Sequence, residues 1–224
     1  MKSLVCLVLL VLYTVISVKA QYSPDELNLD LQTGDLLFCS PTSSELSKAI
    51  DLATQTGQDT HFDHVGIVDI KNDTVYVLHA APKKGVCRET LAQFFYSYQE
   101  KVTITIFRLN ENYAKAIPSA IKKAYTLLGQ PYNQSYILKD PGIYCSEYIY
   151  EIFASDSIFP LKAMTFKNPK TGQFLSGWVN HYKKLGIAIP EGEPGCNPNA
   201  MASSEKLEMT GEVIIDNTAL KSKK

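Results

Sequence analysis

No charge of either sign dominates this sequence: 22 Lys and Arg stand against 23 Asp and Glu in 224 residues, a formal net charge of −1. No basic block is present, and a polyanion needs clustered positive charge, so nucleic-acid partners are disfavoured. Glycine and proline are sparse, at 12 and 11 residues, and no segment repeats. That composition is far from a disordered or fibrous chain. Neither Cys-x-x-Cys nor His-Glu-x-x-His occurs, and there are only four histidines, at positions 61, 64, 79 and 181. With 45% hydrophobic residues, the chain has enough apolar surface for one ordinary domain.

The first twenty residues differ from the rest. Lys2 gives a positive start, Leu4 to Ile16 is almost unbroken apolar sequence, and Val18-Lys19-Ala20 supplies small residues at cleavage positions. The reading is a signal peptide, 1–20, removed before Gln21 to leave a secreted or periplasmic chain. The run is short for a hydrocarbon slab of roughly 30 Å, so a retained anchor is the weaker alternative. The remainder divides into a domain, 21–204, and a tail, 205–224. Four cysteines follow the cut, Cys39, Cys87, Cys145 and Cys196, and an oxidising compartment permits two disulfides in three pairings.

Hydrophobic periodicity places the elements. Gly34 to Cys39 reads as a short strand, and Ser43 or Ser44 caps a helix with Leu46, Ala49, Ile50 and Ala53 on one face. His64 to Ile70 and Thr74 to Ala80 form a hairpin, and Val102 to Leu109 is a strand solvated on one side. A helix runs from Tyr113 or Pro118 to Leu128 and stops at Gly129 and Pro131. After the Asp140-Pro141-Gly142 turn, Ile149, Ile152 and Phe153 recur at helical spacing, which puts Cys145 at a helix N-terminus.

A thiol at a helix start meets unsatisfied amides that favour the thiolate and can hold an oxyanion. An efficient nucleophile also needs a histidine base, itself oriented by a third polar group. A two-residue hairpin turn at Lys71-Asn72 or Asn72-Asp73 sets His64 opposite or diagonal to His79 on one face. Directly opposed β-carbons lie roughly 4.5 to 5.5 Å apart. A three-residue turn sends the two side chains to opposite faces. Taken singly, a histidine at a strand end is usually structural, and a helix cysteine is usually a small core hydrophobe.

Four segments in order carry a resemblance: Gly34-Asp35-Leu36-Leu37-Phe38, His64-Val65-Gly66-Ile67, Gly129-Gln130-Pro131-Tyr132-Asn133 and Tyr144-Cys145-Ser146-Glu147. Together they resemble the exported, circularly permuted NlpC-type papain-like cysteine hydrolases, the YiiX/YebB-like group, over roughly Gly34 to Met201. The stretch from Pro190 to Ser204 is similar to that group's closing loop. The resemblance implies an α+β fold, an antiparallel sheet or half-barrel with the catalytic cysteine at the start of a packed helix. It implies Cys145 as nucleophile, His64 as general base and His79 as the orienting third residue, with no cofactor and no metal. The implied reaction is hydrolysis of amide or isopeptide bonds in cell-wall peptides, including peptidoglycan fragments, or of N-acylated amines, through an acyl-enzyme.

Three rival readings stand beside it. The same triad serves a lipid acyltransferase or hydrolase that contacts membrane lipid. A non-catalytic secreted module would spend its cysteines on disulfides. His61-x-x-His64 with His79 would present three imidazoles to a metal. With Cys145 set aside, Cys87 and Cys196 are the pair left for a disulfide, and Cys39 stays free. His181 beside Trp178 reads as a packing residue, and Asp63 and Glu147 receive no role. Asn72-Asp73-Thr74 and Asn133-Gln134-Ser135 match the glycosylation pattern.

Overall fold

The structure, a computed structural model, describes residues 27 and 29–218, so the expected signal peptide and the last six residues lie outside it. Among the described residues no helix is long and apolar enough to cross a membrane.

Strand β1 (Leu36–Cys39) is followed by α1 (Glu45–Thr54), then β2 (His64–Lys71), β3 (Thr74–Ala81), β4 (Gly85–Thr90), α2 (Leu91–Tyr96) and β5 (Val102–Leu109). A 3-10 turn, Ala114–Ala116, leads into α3 (Ile117–Thr126) and then α4 (Cys145–Phe153). The chain closes with β6 (Lys162–Ala163), α5 (Ser176–Leu185), β7 (Pro194–Gly195), α6 (Pro198–Ala202) and β8 (Leu207–Ile215). Six strands form an antiparallel sheet in the order β4-β3-β2-β1-β5-β8. Mixed helix and antiparallel sheet is the expected α+β class. The tail expected from residue 205 needs correction, because β8 pairs with β5 along its whole length, from Leu109↔Leu207 to Val102↔Ile215.

Capping chemistry sets the helix starts. Ser44 Oγ accepts from the Ser47 amide at the head of α1, and Thr90 with Gln93 forms a capping box at α2. The Asp35 expected in the first strand turn proves structural. Wholly buried, it accepts from Arg108 Nε at 2.7 Å and Nη2 at 2.9 Å, which ties β1 to β5 through a bidentate ion pair.

The sheet separates two cores. On one face Leu36, Phe38, Val65, Ile67, Leu78 and Ala80 pack against α4 through Tyr148, Ile149 and Ile152. On the other, Leu37, Cys39, Val68, Val77, Ile104 and Ile106 pack against Phe94 and Phe95 of α2. Alternate residues of β2 therefore serve different cores. Val65 and Ile67 face α4, while His64, Gly66 and Val68 face α2.

Candidate active site

The β2–β3 turn decides which histidines meet. Lys71 pairs with Thr74, so Asn72 and Asp73 form a two-residue turn with φ of 49° and 59°, the geometry of a type I′ hairpin. His64 and His79 then share a face, one diagonal step apart. Between them across the strands stands Gly66, where a β-carbon would come within 2.8 Å of Val77 Cγ1 and 3.2 Å of His79 Cβ. The absence of a side chain leaves His79 its place. His64 Nε2 lies 2.8 Å from His79 Nδ1, and Phe94 stacks on His64 while meeting His79 edge-on.

The chain of contacts continues into β4. His79 Nε2 lies 2.9 Å from Glu89 Oε2, and Lys84 Nζ binds the other carboxylate oxygen. The His79 hydrogen bond, with help from Lys84, outweighs burial and holds the Glu89 carboxyl down at about 2. Burial, and then the proximity of His79, pushes His64 down to about 3. Where each ring carries one proton, a single arrangement satisfies both the His64–His79 and the His79–Glu89 contact. Ionised Glu89 only accepts, so His79 carries its proton on Nε2 and leaves Nδ1 as acceptor. His64 must then donate through Nε2, and its Nδ1 lone pair is left as a base.

Cys145 begins α4, as its spacing predicts. Glu147 Oε2 accepts from the Tyr144 amide at 3.0 Å, which closes the helix start. The sulfur sits against the backbone of the two residues flanking His64. Its thiol donates to the Asp63 carbonyl at 3.9 Å, and the Val65 amide approaches it together with the Ser146 amide and Tyr132. The β2–β3 ladder makes this approach available, because its pairing stops at Ile67↔Leu78 and the pairs that would follow in that register, Gly66 with His79 and Val65 with Ala80, are not made.

The expected low thiol pKa does not hold. Burial, followed by the Asp63 charge, overrides the amides and pushes the Cys145 thiol up to about 12. Among the described residues no hydrogen bond joins Cys145 to His64. The thiol and the His64 imidazole are both neutral, and no preformed ion pair joins them.

A small cleft of about 90 Å³ opens beside Cys145, lined in part by Asp63, Tyr136, Tyr144, Met164, Phe166 and Trp178. Neither His64 nor His79 lines it. Asp63 Oδ2 accepts from Ser47 Oγ at 2.5 Å, whereas Oδ1 is buried without a hydrogen-bond partner. Burial raises this carboxyl to about 7. The closing loop is pinned to the head of α4: Cys196 N donates to Tyr144 Oη at 3.1 Å and Ser146 Oγ to Cys196 O at 3.1 Å.

A family model described as "permuted papain-like amidase enzyme, YaeF/YiiX" matches residues 30–210. The chain belongs to this permuted papain-like family. It is 31% identical over 123 residues to the uncharacterized protein YiiX of Escherichia coli strain K12, an alignment covering 54% of this chain and 57% of that one. The aligned part is thus little more than half of the curated relative's length. The chain is also similar to the crystal structure of metalloprotein YiiX from Escherichia coli O157:H7, with a TM-score of 0.63 and 25% identity, covering 81% of this chain and 97% of that one.

Other expectations need correction within this permuted papain-like frame. All four described cysteines are free. The suggested Cys87–Cys196 bridge is not made because Cys87 lies beside His79 Nε2 at 3.5 Å, whereas Cys196 lies on the α4 side against Tyr144 Oη at 3.5 Å. The disulfide form of the binding-module reading goes with it. His61 does not join His64. It meets Asp51 at 3.1 Å and Asp59 at 3.2 Å on the surface, so the three-imidazole metal set is absent. His181 contacts Trp178, with ring centroids 5.8 Å apart, and the Gln134 carbonyl, as a packing residue does. Of the two glycosylation triplets, Asn72 is exposed, while Asn133 is buried and bonded to Ile137 O, Ser135 and Tyr136. Glu89 was not legible, since β4 was not expected. Its signal is the alternation Cys87-x-Glu89, which repeats the face of His79.

Proposed function

We propose that this chain is an exported cysteine hydrolase that cleaves amide or isopeptide bonds in cell-wall peptides or N-acylated amines, with Cys145 as nucleophile, His64 as base and His79 as its orienter. The observation that supports this reading is the His64–His79–Glu89 chain of contacts at the start of β2, with the Cys145 sulfur held against the carbonyl of Asp63, the residue before His64. A group entering the cleft displaces the thiol from the Asp63 carbonyl. The thiol proton passes to His64 Nδ1 as sulfur attacks the carbonyl carbon. His64, now imidazolium, is stabilised through His79 by the Glu89 charge and returns the proton to the leaving amine. Water then hydrolyses the thioester, activated by the same ring.

The Cys145 amide, unsatisfied at the first position of α4, is the donor for the developing oxyanion. The cleft is smaller than a 150 Å³ cavity that holds benzene. That size favours a short apolar side chain over a fully enclosed long acyl chain.

Incubation with muropeptides and with N-acyl amino acids, followed by mass spectrometry, tests the reading. Cleavage is expected from the native chain and from neither Cys145→Ala nor His64→Ala, both folded by circular dichroism. Undiminished turnover in either variant rejects the assignment.

A further inference from the structure

We infer that His79, Cys87 and Glu89 form a binding site for a zinc-like divalent cation, and that its occupation turns the proposed hydrolase off by reversing the proton order of the His64–His79 pair. The site stands on geometry alone; only the switch rests on the catalytic reading above.

Strand register assembles the donors. His79 is directly opposite Cys87 in the β3–β4 ladder, and Glu89, two residues further along β4, returns to the same face. Nε2 and Oε2 are 2.9 Å apart, Sγ and Nε2 are 3.5 Å apart, and all three donor atoms lie within 4.8 Å of one another. Zinc takes nitrogen, thiolate and carboxylate ligands at about 2.0 to 2.3 Å in a tetrahedron, which sets ligand atoms roughly 3.5 Å apart. The spacing needs only small adjustment. An outer partner is also in place, because His79 Nδ1 is already engaged by His64, the arrangement that orients a metal-bound imidazole. Lys84, whose side chain is 57% exposed, can release Glu89 to solvent, and half-buried Cys87 leaves room for water as a fourth ligand.

Coordination changes what the two rings can do. Cys87 gives its thiol proton to solvent and binds as thiolate. His79, binding through Nε2, keeps its one remaining proton on Nδ1 and must donate it to His64 Nε2. The proton of His64 then sits on Nδ1, the atom that has to be empty to receive the thiol proton. The relay that Glu89 sets in one direction is thereby set in the other: the His64–His79 hydrogen bond is kept with donor and acceptor exchanged, and the His79–Glu89 bond gives way to coordination.

The site is tested on the purified chain carrying Cys145→Ala, stripped with a chelator and titrated with Co²⁺ and Zn²⁺ against a chromophoric chelator. One equivalent should bind, with a thiolate-to-cobalt charge-transfer band in the near ultraviolet. Cys87→Ser should abolish the band and weaken binding at least tenfold. No binding, or binding indifferent to Cys87→Ser, overturns the site. The switch is tested with a substrate from the mass-spectrometric screen. One equivalent of Zn²⁺ should cut native turnover more than tenfold, while Cys87→Ser keeps its metal-free rate in the same Zn²⁺. Binding without inhibition, or with activation, overturns the switch. If the screen yields no substrate, the hydrolase reading fails on its own while the cobalt spectrum still decides the site.

Discussion

Alkylation of Cys145 by iodoacetamide tests the neutral state of the site directly. Burial pushes this thiol from an ordinary 9.0 to about 12, so at pH 7 it holds roughly 1000-fold less thiolate than an unstructured cysteine. The more basic sulfur is individually more reactive, by roughly 20-fold at a Brønsted slope of about 0.45. The two effects combine to a rate about 50-fold below that of a free cysteine peptide. The sign follows from the raised value: reactivity should climb about tenfold for each pH step between 7 and 10, with no plateau. Timed labelling, quenching and peptide mapping by mass spectrometry resolve Cys145 from Cys39, Cys87 and Cys196. Asp63→Asn removes the second cause of the upward push and should speed the reaction. A plateau below pH 7, or a rate matching the free peptide, would show that thiolate and imidazolium already exist as an ion pair and would refute the reasoning.

Glu89→Gln, assayed with chelator present, replaces a charged acceptor worth about 1.5 to 3 kcal/mol. A fall of about 10-fold to 100-fold in kcat with little change in KM is expected, and long-range nitrogen NMR should show His64 losing its single tautomer. An unchanged kcat removes Glu89 from the relay. Asp63 provides a stability test: its folded-state value, about 7, lies above the ordinary 3.8, so the fold prefers the protonated form. Native stability should fall as pH rises from about 4 through 7 and level off above, a cost of up to about 4 kcal/mol. Relative to the native chain, Asp63→Asn should gain stability between pH 5 and pH 8 in urea unfolding. An equal difference at both pH values would show that Asp63 is not held protonated.

The parts of the site written in local sequence were readable, and the parts set by pairing partners were not. Periodicity places Cys145 at the head of α4, and of the turns the sequence leaves open the structure takes the two-residue one at Asn72-Asp73, which puts His64 and His79 on one face. Both depend on residues close in the chain. The depth of the sulfur is a tertiary property, and the helix-terminus argument alone gave the wrong direction because desolvation exceeds what two amides and a hydroxyl return. Glu89 lies on a six-residue strand that reads as a loop without β3 beside it. Strand β8, with Glu208, Thr210, Gly211 and Glu212, reads as a polar tail because it is an outer strand of the sheet with exposed residues along most of its length. Such strands carry weak periodicity by construction.

The unmade Val65–Ala80 pair in the β2–β3 ladder follows from the same sulfur. A buried amide without a partner costs about 1 to 3 kcal/mol, yet Val65 gives up its place opposite Ala80 and turns its amide to Cys145 instead. The proposed nucleophile is therefore also the acceptor that caps an interrupted ladder, and its removal has a structural cost separable from any lost chemistry. Cys145→Ala strips the acceptor from Val65, whereas Cys145→Ser keeps an oxygen near the same place. Hydrogen exchange at the Val65 amide should accelerate in Cys145→Ala and stay close to native in Cys145→Ser, while both variants are inactive or nearly so. Equal protection of Val65 in all three proteins would mean that the strands separate for some other reason and that the thiol merely occupies a gap already there.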